Sequence, residues 1–295
     1  MIHPYLKSVG FSECKDRSQL NKLLSEIIAN PTFTKRVARS DGTKLGLYAK
    51  DFAPGAGVAV CGEYDDRDNF IFEYYYPYVK GSSVSTKEEM SLERATMQDS
   101  LEGIVDESRV GVSLIFFVVN MLDCVEQEKN GKQALKKATL TLMSFADSGS
   151  VLLPIAKSPK DKVFTRNKNH QRLNMIMDAK KGNESAIENL TLEEMDTYTT
   201  VSKKIKNSDI FTLVDTYFMP NGVECDHYSV LGEIVNVRYL TNEETKENMV
   251  IITLLCNELP FDVCLNEADL KGEPVPGRRF KGNIWMQGRV NFQDN

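Results

Sequence analysis

The chain has 295 residues, of which 41% are hydrophobic, and carries 36 Lys and Arg against 42 Asp and Glu. This length suits about two domains of roughly 100–200 residues each, and the near-average composition excludes disordered, collagen-like and disulfide-scaffold proteins. The net charge of −6 disfavours a general binder of nucleic acids or of anionic membranes. The six cysteines form no C-x-x-C pair and predict reduced thiols in a cytoplasmic protein.

Neither a secretory signal nor a membrane span is predicted. The N-terminal residues lack the charged, apolar and small-residue segments of a signal peptide. The longest apolar run lies within Val110 to Val125, is interrupted by Asn120 and Asp123, and is too short to cross a bilayer. We therefore expect a cytoplasmic protein with no membrane partner.

Residues 1–156 predict an α+β domain, a sheet-and-helix unit that begins with one amphipathic helix. Apolar residues from Leu20 to Ile28 recur on one helical face. Ser18 is the predicted N-cap, and Pro31 ends the helix because proline disfavours helical geometry in the residue before it.

Strands dominate the rest of this first domain. The predicted ranges, of which the last two form a hairpin, are Lys44–Lys50, Gly57–Glu63, Phe70–Val79, Thr139–Ala146 and Val151–Ile155. Pro77 suits an edge strand, since proline cannot donate a ladder hydrogen bond. A second helix is predicted at about residues 110–128, where Leu114, Val118 and Val125 share one stripe.

Residues 157–209 predict a polar helical connector with a basic patch at its start. Thr191 and Glu194 fit a capping box that would begin a helix. The basic patch consists of Lys157, Lys160, Lys162, Arg166, Lys168 and Arg172. The favoured interpretation is a solvated linker that docks on the acidic C-terminal region, and the alternative is an anion site for phosphate or nucleic acid.

Residues 210–295 predict a small β-barrel of the OB type or a curled antiparallel sheet. A short turn or helix at 266–269 precedes the last of the predicted strands, which are Ser229–Tyr239, Met249–Cys256, Pro260–Leu265 and Arg278–Phe292. This region holds 7 Lys and Arg against 13 Asp and Glu, and so accounts for the whole net charge of −6.

The last strand supplies the candidate face for binding a ligand or partner. Strict alternation places Arg279, Lys281, Trp285 and Arg289 on one side, opposite an apolar side. An aromatic ring among cations on one barrel face is typical of single-stranded nucleic-acid binding. The alternative, favoured because the surroundings are acidic, has Trp285 packing beneath the N-terminal domain with the cations around its rim.

The sequence shows no catalytic constellation and no phosphate-binding or cofactor motif. Cys225 and His227, with Cys256 and Cys264, suggest a zinc site by residue type, but their spacing matches no common ligand pair. The other two histidines lie near the N-terminus and in the basic connector. We therefore assign no catalytic residue, no metal ligand and no cofactor.

Several stretches resemble an uncharacterised bacterial family, a domain of unknown function. They are Tyr5–Phe11, Arg109–Phe116 and the stretches at 183–198, 215–228 and 270–288, so the resemblance spans nearly the whole chain. The resemblance implies a bacterial cytoplasmic setting and transfers no activity.

The leading expectation is a non-catalytic cytoplasmic binding or protein-interaction protein that uses its OB-like C-terminal domain, with another protein as the favoured partner. One alternative is single-stranded nucleic-acid binding through the same face and the basic connector, although the net charge disfavours it. The other is an enzyme whose site lies at the interface between the two domains.

Overall fold

The computed structural model describes residues 2–95, 100–128, 133–155, 171, 174–176, 178–179, 182–192 and 214–293. Within these residues the fold is mixed α+β, as predicted, and consists mainly of a four-stranded sheet and a ten-stranded sheet. None of the helices within the described residues is long and apolar enough to cross a bilayer.

Short helical elements flank the sheets: a 3-10 helix at Pro4–Val9, α1 at Arg17–Ala29, α2 at Met121–Glu128 and α3 at Gln133–Lys136. The predicted first helix is confirmed as α1, and it ends before Pro31 as expected. The predicted N-cap, Ser18, is wrong. Asp16 caps the helix, because its side chain accepts from the Gln19 N–H at 2.9 Å while the Gln19 side chain reaches back to the Asp16 N–H.

The first sheet is an antiparallel meander of β1 (Phe33–Ala38), β2 (Lys44–Ala53), β3 (Ala56–Tyr64) and β4 (Phe70–Val79), in that order. Three of these strands were predicted, and β4 lies at the sheet edge as Pro77 indicated. Helix α1 packs on β2 and β3 with its buried face, Leu20, Leu23, Leu24 and Ile27.

The second sheet contains β5 (Met90–Arg94), β6 (Leu101–Glu107), β7 (Val112–Val118), β8 (Thr139–Leu152), β9 (Tyr217–Pro220), β10 (His227–Thr241), β11 (Asn248–Cys256), β12 (Leu259–Asn266), β13 (Leu270–Lys271) and β14 (Arg279–Asn291). Five of them form a closed ring in the order β8–β12–β11–β10–β14, because β14 pairs with both β10 and β8. A barrel-like sheet is therefore present, and the OB type stays a prediction. From β14 the sheet extends through β7 and β6 to β5.

The predicted hairpin within residues 139–155 is wrong, because this stretch forms the single strand β8. It pairs with β14 along its length, from Thr139 opposite Asn291 to Leu152 opposite Arg279. A register shift absorbs the turn-like residues around Asp147. Pairing with β14 thus determines that residues 139–152 are a strand. It also brings β8, which belongs to the predicted first domain, into the ring formed with residues 210–295.

The predicted helix over 110–128 is half wrong, because residues 112–118 form β7 and the helix begins only at Met121. Leu114, Phe116 and Val118 are almost fully buried on one face of β7, and Ile115 and Phe117 on the other face are half-buried. A strand that is apolar on both faces is a nearly continuous apolar run, which sequence periodicity does not separate from a buried helix.

Most of the described residues of the predicted connector are helical, and residues 184–192 form its longest helical segment. The capping box predicted at Thr191 is wrong, because Thr191 lies inside this helix and its hydroxyl donates to the Ile187 carbonyl at 2.9 Å. The cap is Asn183, whose side chain accepts from the Ala186 N–H at 3.3 Å.

Candidate functional site

Three of the four residues predicted to share an open face of β14 have quite different surroundings. Trp285 is 6% exposed and Arg279 is 8% exposed, whereas Arg289 is exposed and lies 3.5 Å from Asp123. The guanidinium of Arg279 donates to the carbonyls of Leu153 and Val214.

The fourth, Lys281, is half-buried. The N-terminal segment and β4 cover the outer side of β14, which is the packing that the favoured alternative gave for Trp285. His3 and Tyr5 contact Trp285, and Gln287 on the same strand donates to the Pro77 carbonyl at 2.8 Å. The assignment of these four residues as a binding surface stays a prediction.

The predicted anion site of the connector cannot be placed. Lys160, Lys162, Arg166, Lys168 and Arg172 all lie outside the described residues.

The turn that joins β9 to β10, residues 221–227, brings the side chains of Glu224, Asp226 and His227 to one point, and we call it the His227 turn. Its backbone closes on itself, since the Asn221 N–H donates to the His227 carbonyl at 2.9 Å and Gly222 adopts a φ of 84°. This loop therefore carries Glu224 and Asp226 back over the start of β10.

Three potential ligand atoms converge at this turn. The Nδ1 of His227 lies 2.9 Å from Oδ1 of Asp226 and 3.0 Å from Oε2 of Glu224. The side chains of His227 and Asp226 are about one-fifth exposed, at 21% and 22%, and that of Glu224 is 74% exposed. The cluster is open to solvent on the Glu224 side and enclosed on the other.

The enclosed side is an aromatic wall formed by Trp285 and the N-terminal segment. Trp285 pairs with His227 across the β10–β14 ladder, and its indole N–H donates to Oδ2 of Asp226 at 2.6 Å. The Tyr5 ring stacks on Trp285 at 5.6 Å between centroids, and the His3 ring lies 4.7 Å from it.

Local capping holds the N-terminal segment in this position. Nδ1 of His3 accepts from the Tyr5 N–H, Pro4 begins the 3-10 helix, and Gly10 ends it with a φ of 85°. The Ser8 hydroxyl then donates to the Ala146 carbonyl of β8 at 3.0 Å. These contacts pack His3 and Tyr5 against the β-ring.

The two histidines at this site have opposite electrostatic environments. Burial, with a smaller contribution from the nearby His227, lowers the pKa of His3 to about 4, and the charge of Asp226 only partly opposes this shift. Burial also opposes the charged form of His227, but the hydrogen bond to Asp226 and the charges of Asp226, Glu224 and Asp147 outweigh it and raise the pKa of His227. The potential at His227 is therefore negative.

The zinc arrangement considered from the sequence does not form. Cys256 and Cys264 are buried, with their thiols near the carbonyls of Tyr217 and Ser8. In the described residues, the group with metal-type spacing contains Glu224, Asp226 and His227 and no cysteine. Sequence reasoning missed the Glu-x-Asp-His run at residues 224–227. The side chains of this run converge only because the backbone hydrogen bond from Asn221 to His227 closes the turn.

A separate surface cavity of about 330 Å³ is lined by Tyr239, Glu267, Leu270, Gly272, Glu273 and Pro274. It offers two carboxylates and a phenol, without an imidazole or a thiol. The His227 turn carries more ligating chemistry, and we take it as the candidate site.

A family model described as "Domain of unknown function, E. rectale Gene description (DUF3881)" covers residues 6–288, which confirms the family resemblance noted from the sequence. No curated protein and no solved structure matches the chain. The match covers the His227 turn and all of the β-ring except the last three residues of β14.

Proposed function

Because the chain belongs to the DUF3881 family, whose description assigns no activity, we propose a function from its own site: a cytoplasmic, non-catalytic binding protein that holds a small cation at the His227 turn. The observation that carries this proposal is the convergence of Glu224, Asp226 and His227, whose ligand-type atoms all lie within 4.8 Å of one another at the surface.

The charge of the site supports a cationic ligand. Three carboxylates, those of Asp147, Glu224 and Asp226, act on one imidazole and raise its pKa. A site that stabilises a positive charge on its own histidine also stabilises a bound cation. A phosphate group would instead meet the repulsion of these carboxylates.

The aromatic wall supports binding of an ordered ligand. Trp285 and Tyr5 are buried and fixed by stacking, so the Asp226 carboxylate that they support has a defined orientation. A preoriented group loses less conformational entropy when a ligand binds.

The state of the cysteines supports the cytoplasmic assignment. All six are free, and four of them are buried. Free buried thiols are typical of proteins from a reducing compartment.

The fluorescence of Trp285 tests the proposal directly, because it is the single tryptophan of the chain and contacts Asp226. The full chain is titrated with zinc ions, putrescine, inorganic phosphate and a single-stranded oligonucleotide, with calorimetry in parallel. We expect a saturable response to at least one cation, no response to phosphate, and loss of the response in Asp226→Asn.

Glu244→Gln serves as the matched control, since it removes an exposed carboxylate at a distant turn of β10 and β11. This variant should bind the cation as the parent does. Failure of both cations to bind would refute the proposal. Tight, salt-sensitive binding of the oligonucleotide instead would favour the nucleic-acid alternative.

A further inference from the structure

Resting on the proposed function, the geometry points to a divalent transition-metal ion, of which zinc is the best fit, bound by His227 Nδ1, Asp226 Oδ1 and Glu224 Oε2. These three atoms are one imidazole nitrogen and two carboxylate oxygens, all of them ligand types that zinc accepts. Three protein ligands leave a fourth position for water or for a group of a second ligand.

The distances fit a tetrahedral ion after a small adjustment. Ligand atoms that lie about 2.0–2.1 Å from a tetrahedral zinc ion are about 3.3–3.4 Å apart. The Nδ1 of His227 now lies 2.9 Å and 3.0 Å from the two carboxylate oxygens. Glu224 is 74% exposed and has the freedom to move outward by the few tenths of an ångström required.

Trp285 orients the Asp226 carboxylate for the proposed ligation. Its indole N–H occupies Oδ2 of Asp226 at 2.6 Å, so that Oδ1 alone is directed at His227. Outer hydrogen bonds of this kind orient the carboxylates that ligate metals.

The ligand set discriminates between classes of metal. Calcium and magnesium prefer oxygen ligands in larger number, and an imidazole nitrogen favours zinc and its neighbours in the transition series. The ion would take the place of the proton that Nδ1 of His227 shares with the carboxylates, and this proton would be released to solvent. Charge and ligand chemistry therefore favour zinc over magnesium at the same site.

The test uses the full chain, freed of metal with a chelator and then titrated calorimetrically with Zn²⁺, Mg²⁺ and putrescine. We expect one zinc ion per chain, with Mg²⁺ bound at least 100-fold more weakly. His227→Gln and Asp226→Asn should each lower zinc affinity about 100-fold or more, and Glu224→Gln about 10-fold because its ligand is exposed. Glu244→Gln should leave the affinity unchanged.

A spectroscopic arm separates ligation from general electrostatics. Co²⁺ in place of zinc should give visible absorption bands of a four-coordinate site in the parent, and these bands should disappear in His227→Gln. Circular dichroism melting of each variant checks that it is folded. If a variant fails to fold, the Co²⁺ spectrum of the parent and the pattern of the remaining variants decide.

The outcomes distinguish this inference from the function on which it rests. Putrescine binding without stoichiometric zinc binding would overturn the metal site and leave a binding protein for organic cations. Zinc binding that survives in all three ligand variants would also overturn it. If neither zinc nor putrescine binds, both the metal site and the proposed function are refuted.

Discussion

The indole nitrogen of Trp285 donates a 2.6 Å hydrogen bond to Oδ2 of Asp226, and the ring that makes this bond is only 6% exposed. Asp226 in turn lies 2.9 Å from Nδ1 of His227, which pairs with Trp285 across the β10–β14 ladder. One buried side chain therefore connects the barrel-like ring to the surface group that we propose as a cation site.

We expect a double-mutant cycle on Trp285 and Asp226 to show strong coupling. Trp285→Phe removes the donor and Asp226→Ala removes the acceptor, and the interaction should amount to about 1–3 kcal/mol because the acceptor is charged. Urea unfolding followed by circular dichroism measures the free energies. Effects that add to within about 0.5 kcal/mol would show that the bond contributes no stability.

The two histidines of the site should titrate on opposite sides of the ordinary histidine value. Burial lowers the pKa of His3 to about 4, so that between this value and 6.5 the unfolded chain binds a proton that the native chain does not. The stability contribution of His3 therefore falls as the pH drops through that window. The pKa of His227 is raised in the folded protein, so the stability contribution of His227 is lost as the pH rises through this raised pKa.

NMR of the ring protons of the metal-free chain measures both titrations, with His3→Gln and His227→Gln assigning the signals. We expect the His3 signal to move only near pH 4 and the His227 signal to move above 6.5. Coincident titration of the two rings near their ordinary value would contradict the buried arrangement around Trp285.

Arg109→Met should destabilise the fold strongly, because it leaves a carboxylate buried without its partner. Glu107 is 1% exposed and accepts from the Arg109 guanidinium at 2.7 Å and 2.6 Å, and the same group donates to the carbonyls of Ser85 and Glu258. Breaking such a pair costs about 3–5 kcal/mol. Thermal and urea unfolding report the loss.

Two further variants separate the buried charge from packing. The double variant Glu107→Gln with Arg109→Met should be more stable than Arg109→Met alone, since no buried charge is then unpaired. Lys15→Met removes a partner of Glu13 in an exposed pair and should change stability by less than about 0.5 kcal/mol. Equal losses in Arg109→Met and the double variant would show that packing alone is responsible.

Asp262→Asn should loosen the segment that precedes β5. The buried carboxylate of Asp262 accepts from the Ser82 N–H at 2.6 Å, from the Ser82 hydroxyl at 2.9 Å and from the Thr253 hydroxyl at 2.6 Å. The amide introduced by this substitution would direct an NH₂ group at some of these donors and would carry no charge to pair with Arg238. We therefore expect the free energy of unfolding to fall by about 2–4 kcal/mol.

Hydrogen exchange locates the effect of this substitution. The Ser82 amide should exchange at least tenfold faster in Asp262→Asn, whereas Glu244→Gln should leave it unchanged. Protection of Ser82 equal to that of the parent would show that the carboxylate does not hold this segment.

Elements with a clear local period were predictable. The apolar face of α1 repeats at helical spacing, and β4, β11, β12 and β14 follow within one residue the ranges predicted from their composition and alternation. Residue periodicity was not sufficient at β7 and β8, since their conformation is imposed by long-range pairing with β14. The short apolar run of β7 and the Asp147-Ser148-Gly149 segment of β8, which is typical of a turn, both form strands because they pair with β14.

The sequence by itself determined the family, the mixed α+β class, most strands of the C-terminal region and the acidic charge of that region, because each depends on composition or on local spacing. Only the tertiary structure decided that Trp285 is buried beneath His3 and Tyr5, and that Glu224 and Asp226 turn back onto His227. The contacts of Trp285 with His3 and Tyr5 join segments that are far apart along the chain, so only the packing of the N-terminal segment against β14 creates them. The three proposed ligands are close in sequence, but their side chains converge only in the folded turn that the Asn221–His227 backbone hydrogen bond closes. Trp285 then reaches this turn through the pairing of β10 with β14, which no local pattern records.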